Sequence, residues 1–139
     1  MNTMKNLKVI VSKANNGVSA HLPELDGYVI ARDTIVKLKK EIREGVKFHI
    51  EGLYEEERQE WMNEEYDFEY VFKDIPSLVE AYGGFINQSS LARIAGINEG
   101  QVRQYVAGVK HPTKRTLERI ETGVRRYASE LQTISFDYA

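Results

Sequence analysis

The segment QSSLARIAGINEGQVRQYVAGVKHP, residues 88–112, determines how the rest of the chain is interpreted. Apolar residues recur in it at helical spacing on both sides of a break at Gly96, Ile97 and Asn98; they are Leu91, Ala92, Ala95, Ile97, Val102 and Val106. Two short helices joined by a tight turn containing glycine form a helix-turn-helix unit, whose second helix can enter the major groove of DNA. The segment therefore predicts such a unit. An ordinary pair of packed helices with polar outer faces is the alternative.

Residues that cap helices stand at the expected ends of both predicted helices. Asn87 can cap the first helix, which leaves the backbone amides of Gln88 and Ser89 facing outward, where they can bind a phosphate. Asn98 can cap the second helix, and Gly108 follows that helix as a stop signal. These ends favour two short helices over one long one.

The second predicted helix presents polar side chains on its outward face. Glutamine and arginine can hydrogen-bond base edges, so we expect Gln101 and Gln104 to contact bases and Arg103 to contact a base or a phosphate. Glu99 can accept a hydrogen bond from a cytosine amine or simply favour the helix N-terminus. Lys110 and the residues after it lie where a loop passes the phosphate backbone. The predicted DNA-binding set is Gln88, Ser89, Asn98, Glu99, Gln101, Arg103, Gln104, Lys110, His111, Lys114 and Arg115.

Charge is distributed unevenly along the chain, whose net charge is −2. Residues 1–87 contain 11 lysine and arginine residues against 16 aspartate and glutamate residues, whereas residues 88–139 contain 8 against 5. An acidic front half and a basic rear half predict two different partners, the rear one a polyanion.

The composition excludes several classes of protein. There is no cysteine, which rules out disulfides, thiolate zinc sites and cysteine nucleophiles. No apolar run approaches the roughly 18 residues of a membrane span, and the N-terminus lacks a secretory signal. We therefore expect a cytoplasmic location and no membrane partner. The histidines are far apart in the sequence and fit no metal-ligand spacing; they are His21, His49 and His111.

A metal-dependent nuclease is the enzyme alternative, because carboxylates of the front half could hold a metal ion. These carboxylates are Asp26, Asp33, Glu41 and Glu44. Asp26 is better explained as a turn residue and Asp33 as a helix cap, and the sequence offers no nucleophile–base pair. We therefore expect no enzymatic activity, no catalytic residue, no metal and no cofactor.

The chain is predicted to be an α+β protein of two domains, residues 1–74 and 75–139. Alternating apolar residues in the front domain predict a small antiparallel sheet. Its strands cover residues 5–14, 18–22, 28–31 and 66–73. One helix begins at Asp33 or Thr34, ends at Gly52 and packs an apolar stripe on the sheet. The stripe is Ile35, Leu38, Ile42, Val46 and Ile50.

The rear domain is predicted to be all-α. Ser77 followed by Glu80 is a capping box that opens its first helix. Thr113 caps its last helix, whose apolar stripe is Leu117, Ile120, Val124, Tyr127 and Leu131. Gly123 inside that helix costs about 1 kcal/mol. Such a glycine predicts close packing against another helix or a second subunit.

Residues 55–70, here named the acidic segment, contain eight acidic residues around Trp61, Tyr66, Phe68 and Tyr70. The segment is either an acidic docking surface for a basic partner or a solvated loop or helical extension before the fourth strand. The sequence leaves these two interpretations open.

The two halves together resemble an antitoxin of the HicB family in its helix-turn-helix variant. In the front half the most specific matches are Pro-Glu-Leu-Asp-Gly at residues 23–27 and Asp-Thr at residues 33–34. The rear half, residues 88–124, resembles the λ-repressor-like DNA-binding domain through Gln88, Leu91, Ala92, Gly96, Tyr105, Gly108 and Pro112. The chain departs from the family at Tyr28, where many members have a cysteine or a similar small residue.

The resemblance implies a partial ribonuclease-H-like fold without catalytic function in residues 1–74. It implies a HicA-like toxin, a small RNA-cleaving protein, as one partner and operator DNA as the other, with the chain assembled as a homodimer or higher oligomer. The protein is thus expected to be the antitoxin of a type II toxin-antitoxin pair that also represses its own operon. A solitary transcriptional repressor whose front domain senses a small ligand is the alternative.

Overall fold

The computed structural model describes residues 4–138. These residues belong to two compact units, Met1–Ala81 and Tyr82–Ala139. The first unit carries a four-stranded sheet and the described part of the second is helical, so the predicted α+β class is confirmed. Among the helices of the described residues, none combines the length and the apolar character that crossing a membrane requires.

The sheet of the first unit is mixed. Its strands are β1 (Lys5–Ala14), β2 (Gly17–His21), β3 (Val29–Arg32) and β4 (Tyr66–Phe72). They lie in the order β3-β2-β1-β4; β1 with β2 and β2 with β3 are antiparallel, but β4 runs parallel to β1. The prediction of an antiparallel sheet is therefore wrong at β4. The helix and the acidic segment between β3 and β4 supply the long crossover that a parallel strand needs.

Helix α1, Ile35–Glu51, packs on this sheet. Its cap is Thr34 rather than Asp33, because the Thr34 hydroxyl accepts the backbone N–H of Lys37 at 3.1 Å. The helix ends at Gly52, as predicted. All five residues of the predicted apolar stripe are buried. This confirms the face that the sequence assigned to the core, which β1 and β2 complete with their own apolar residues.

The acidic segment forms two short 3-10 turns, Glu55–Glu57 and Glu60–Asn63, and then enters β4. Its acidic side chains are exposed. Trp61 contacts Tyr66, and Tyr66 contacts Phe68, each edge-on with ring centroids 5.8 Å apart. Arg43 of α1 lies over this row, 5.0 Å from the Phe68 ring centroid. The segment thus combines exposed acidic side chains with a row of aromatic rings that Arg43 joins to α1.

Helix α2, Ile75–Tyr82, belongs to the first unit except for its last residue, whereas the predicted domain boundary lies before it. Ser77 is 1% exposed, and its hydroxyl accepts the backbone N–H of Lys13 in β1 at 3.1 Å. The capping box predicted at Ser77 is wrong, because the helix begins at Ile75. The helix starts earlier because the Asp74 carboxylate accepts the Ser77 backbone N–H at 2.9 Å and acts as the cap.

The second unit is built from α3 (Gln88–Ala95), α4 (Glu99–Val106) and α5 (Lys114–Leu131). α3 packs against both α4 and α5. Leu91 of α3 and Val102 of α4 are fully buried. The helical spacing on both sides of the turn at Gly96 is therefore confirmed.

Gly123 lies where α5 meets α3. A Cβ atom at this position would overlap the backbone carbonyl of Ile94. The predicted close packing of Gly123 against another helix is confirmed, because only glycine allows so close an approach. The predicted apolar stripe is buried only in part, because Leu117, which precedes this contact, is 38% exposed. Tyr127 and Leu131 are 53% and 48% exposed.

Candidate nucleic-acid interface

A reciprocal pair of hydrogen bonds fixes the N-terminus of α3. The Asn87 side-chain oxygen accepts the Ser90 backbone N–H at 2.9 Å, and the Ser90 hydroxyl accepts the Asn87 backbone N–H at 2.8 Å. The predicted cap is confirmed. The next two amides, of Gln88 and Ser89, belong to the first turn and have no carbonyl of a preceding turn to bind. This end of the helix is therefore suited to an anion.

The turn between α3 and α4 depends on Gly96. Its φ of +66° lies in the left-handed region, and the Ile97 amide closes the end of α3 on the Ala92 carbonyl at 3.0 Å. Arg119 of α5 donates from Nη2 to the Gly96 carbonyl at 2.7 Å. Arg119 therefore positions the turn, a role that the sequence did not reveal.

Helix α4 begins at the predicted cap. The Asn98 side-chain oxygen accepts the amides of Gly100 and Gln101 at 2.7 and 3.3 Å. This residue thus holds the helix start. The Gln101 side chain donates from Nε2 to the Tyr105 hydroxyl at 2.6 Å, which fixes Gln101 along the helix surface.

The end of α4 folds the following loop back onto the helix. Gly108 has a φ of +75°, and the amides of Val109 and Lys110 donate to the Gln104 carbonyl at 3.0 and 3.3 Å. This pattern of a left-handed glycine and returning amides is a common helix stop. It brings Lys110 close to Gln104, so the loop and the helix contribute to one surface.

Part of the predicted DNA-binding set meets in one depression on α4. It is lined by Asn98, Gly100, Gln101, Arg103, Gln104 and Lys110. Gln101, Arg103 and Gln104 are exposed, while the intervening Val102 is buried. The depression therefore offers amide donors and acceptors beside two cations. Such a surface can hydrogen-bond base edges and pair with phosphates.

Glu99 links the two helix starts. Its carboxylate accepts the Ser89 hydroxyl at 2.8 Å, so it ties α4 to α3. This bond adds a structural role to the two that the sequence suggested. Arg103 and Lys110 form no ion pair within residues 4–138. The depression consequently keeps its positive charge.

The remaining predicted residues lie outside the depression. His111, Lys114 and Arg115 are exposed in the loop and in the first turn of α5. Arg115 lines a separate groove between α3 and α5, together with Arg93, Arg119 and Arg126. The signal that the sequence carried for this groove is the recurrence of arginine on one face of α5. The sequence alone did not predict that Arg93 of α3 lies beside that face.

The first unit contains a cleft of about 420 Å³ between β3 and α1. Tyr28 reaches across it to Gly45, where the absence of a side chain leaves room for the phenol. The Tyr28 ring meets His49 edge-on, with centroids 5.6 Å apart. Burial raises the pKa of the Tyr28 phenol above its usual value of 10.0, and the nearby Arg32 offsets part of that rise.

The structure does not gather the front-half carboxylates into a metal site. Glu41 is paired with Arg32 at 3.1 Å, and it is the backbone carbonyl of Asp26 that bonds His49 Nε2, at 3.0 Å. In the part of the chain that the structure describes, no three histidine, aspartate or glutamate residues are grouped so that they could hold a metal ion.

Comparison of the chain with protein-family models, with curated proteins and with solved structures gives no match. The functional assignment therefore rests on the residues of the chain and on their geometry. The depression on α4 is the strongest candidate, because it combines a capped helix with exposed hydrogen-bonding side chains and cations.

Replacing Asn98 by alanine removes the cap of α4. We expect the free energy of unfolding of the second unit to fall by about 1 kcal/mol, because the amides of Gly100 and Gln101 lose their acceptor. Urea denaturation followed by far-UV circular dichroism measures this loss. Ser129→Ala, at an exposed position of α5, is the control. An equal loss in the two variants would contradict the capping role.

Proposed function

We propose that the second unit is a helix-turn-helix DNA-binding domain and that the chain is a type II antitoxin that represses its own operon. The observation that carries DNA binding is the depression on α4, where Gln101, Arg103 and Gln104 are exposed beside Lys110. A capped helix with one buried side presents its opposite side, with such side chains, to base edges. In this docking α3 crosses the phosphate backbone with its N-terminal amides toward a phosphate.

The charge distribution supports two partners. The basic rear half is attracted to DNA, and the acidic front half is attracted to a basic protein. A toxin that cleaves RNA binds a polyanion and is expected to be basic. The exposed acidic segment, fixed by its aromatic row to α1, is the part of the first unit that fits such a partner best.

The first unit would be the partial ribonuclease-H-like domain that the HicB resemblance implies. The sheet order β3-β2-β1-β4, with one parallel strand and a covering helix, is compatible with this proposal. In this domain Tyr28 replaces the small residue of many family members, and Gly45 provides the space that the phenol needs.

Assembly as a dimer follows from the proposed DNA binding, because twofold proteins read two half-sites about one helical turn apart. The end of α5 and the residues after it expose a row of apolar side chains between 48% and 76%; they are Tyr127, Leu131, Ile134 and Phe136. Several large apolar side chains that are exposed close together in the sequence are a feature of interaction sites. We therefore assign self-association to this row.

The double variant Tyr127→Glu, Leu131→Glu is expected to raise the dimer dissociation constant at least about tenfold, because two carboxylates would be buried in an apolar contact. Sedimentation equilibrium measures the constant. The double variant Ser129→Glu, Gln132→Glu adds the same charge at neighbouring exposed positions and is the control. A monomeric wild type, or equal weakening in both double variants, would contradict the assigned surface.

DNA binding is tested by fluorescence anisotropy with the duplex that lies upstream of the protein's own gene. At ~0.15 M salt we expect roughly a thousandfold tighter binding than to a scrambled duplex of the same composition. Equal affinity for the two duplexes would overturn the repressor proposal. Absence of binding to both duplexes would overturn the proposal that the protein binds DNA.

Toxin binding is tested by co-expressing the full chain with the small basic protein encoded beside it. We expect a stable complex to co-purify and the growth defect caused by the neighbour alone to disappear. No complex, or a complex without relief of the defect, would overturn the antitoxin proposal.

A solitary repressor is the second candidate, and the cleft beside Tyr28 is the observation that favours it. Its volume of about 420 Å³ lies within the range of small-molecule sites. In that case no small basic reading frame lies beside the gene, and a ligand of the first unit changes the affinity for the upstream duplex. These two outcomes separate the candidates.

A further inference from the structure

We propose that a groove between α3 and α5, distinct from the depression on α4, binds the phosphate backbone of duplex DNA. It is named here the arginine groove, and its cations are Arg93 of α3 and Arg115, Arg119 and Arg126 of α5. One carboxylate, that of Glu118, also lines it. The inference rests on the proposed function, because it requires the second unit to bind DNA.

The positive charges of the arginine groove outnumber its single carboxylate by four to one. All four arginines are exposed, and within residues 4–138 none of them is ion-paired. Arg119 uses one of its donors on the Gly96 carbonyl. By contrast, Arg125 lies outside the groove and is 3.7 Å from Glu121. Four guanidinium groups with donors to spare therefore surround one groove.

The length of the groove suits a chain of phosphates better than a single small anion. Arg115 and Arg126 lie at the two ends of the arginine row on α5, about 16 Å apart along the helix axis at the usual rise per residue. This distance matches the axial rise of roughly five nucleotides in one DNA strand. Arg119 lies between them, and Arg93 adds a cation from α3.

The arginine groove and the depression on α4 share no lining residue. Each can therefore be changed by substitution without altering the other. The depression offers amides that distinguish bases, whereas a guanidinium fork pairs with phosphate oxygens and carries no sequence information. α3 is also the helix that crosses the backbone in helix-turn-helix docking, which favours DNA as the occupant.

Two arginines of the groove can be changed without touching Arg119 or the depression. The double variant Arg93→Ala, Arg126→Ala is expected to lower affinity on the order of tenfold at ~0.1 M salt. The loss should be equal for the upstream and scrambled duplexes, so that the discrimination between them is kept. The slope of log affinity against log salt should become shallower by about 1 to 2.

The matched control compares two neighbouring residues of α5. Arg126→Ala removes a charge from the arginine groove, and Arg125→Ala removes an ion-paired charge outside it. We expect a shallower salt slope for the first variant and an unchanged slope for the second. Far-UV circular dichroism should give the wild-type spectrum for both, because both side chains are exposed.

The outcomes separate this inference from the proposed function. A wild type that does not prefer the upstream duplex contradicts the proposed function, whatever the groove variants do. If the wild type does prefer the upstream duplex, an unchanged affinity and salt slope in the double variant overturn the inference about the groove but not the proposed function. An equal change of salt slope in Arg125→Ala and Arg126→Ala does the same. A peptide of residues 54–69 that binds the wild type but not the double variant, with DNA affinity unchanged, would assign the groove to an acidic protein segment and also overturn it.

Discussion

Replacing Gln101, Arg103 and Gln104 together by alanine is expected to lower the affinity for the upstream duplex by at least about a hundredfold. Each good contact to a base edge supplies roughly 1–3 kcal/mol of discrimination. The three losses together therefore approach the whole free-energy difference between specific and non-specific DNA binding. Affinity for the scrambled duplex should fall much less, because backbone contacts persist. Anisotropy titrations with the two duplexes at moderate salt measure both values.

A control for this triple variant is available on α5 and in its cap. Arg125→Ala, Ser129→Ala and Gln132→Ala together remove one positive charge and two polar side chains at exposed positions of the same unit. We expect the affinity of this control to stay within about threefold of the wild type, since exposed surface pairs contribute little. Upstream binding that survives the α4 changes would show that α4 is not the recognition helix.

Gly123→Val is expected to lower the free energy of unfolding of the second unit by about 3 kcal/mol. A side chain at this position meets the backbone carbonyl of Ile94, which cannot rotate away as a flexible side chain would. α5 must then move off α3, which opens the core around Ile120. Helix propensity alone would predict that Gly123→Val raises the free energy of unfolding, because glycine is a poor helix former.

The two units offer separate signals for this measurement. Trp61 is the single tryptophan and lies in the first unit, so its fluorescence follows that unit, whereas far-UV circular dichroism includes α3, α4 and α5. The dichroism transition should move to lower urea while the Trp61 transition stays in place. Thr122→Val is the control, because it puts the same side chain at an exposed neighbouring position. Equal losses at residues 122 and 123 would contradict the packing explanation.

The ends of α3 and α4 could be predicted because they depend on residues close in sequence. Asn87 and Asn98 cap amides two or three residues ahead, and Gly108 ends α4 through amides that return to Gln104. Such interactions are local, so the sequence specifies them directly. The face of α4 that carries Gln101, Arg103 and Gln104 was predictable for the same reason.

The direction of β4 and the attachment of α2 were not predictable, because both depend on contacts between distant residues. Alternation indicates that β4 is a strand and which side chains share a face, but a strand read in either direction gives the same alternation. Its pairing partner begins at Lys5, opposite Tyr66. The hydrogen bond from Lys13 to Ser77 likewise joins residues that the sequence does not bring together.

The arginine groove could likewise not be predicted in full, because it depends on contacts between residues that are distant in sequence. Arg115, Arg119 and Arg126 could be placed on one helix by spacing, but the contribution of Arg93 required the packing of α3 on α5. The role of Arg119 at the Gly96 carbonyl required the same packing. The sequence therefore specified the surface built from one helix and its adjoining loop, and the structure was needed for the surface built from two helices.

The hydroxyl of Ser77 determines where this chain can be divided and recombined. A junction at residue 74 would separate α2 from the sheet and remove the hydrogen bond of the Lys13 amide, which contributes about 0.5–1.5 kcal/mol. A junction after Ala81 keeps that hydrogen bond within the first unit. The module that can be exchanged is therefore residues 82–139. A fusion protein that contains the sheet must also contain α2.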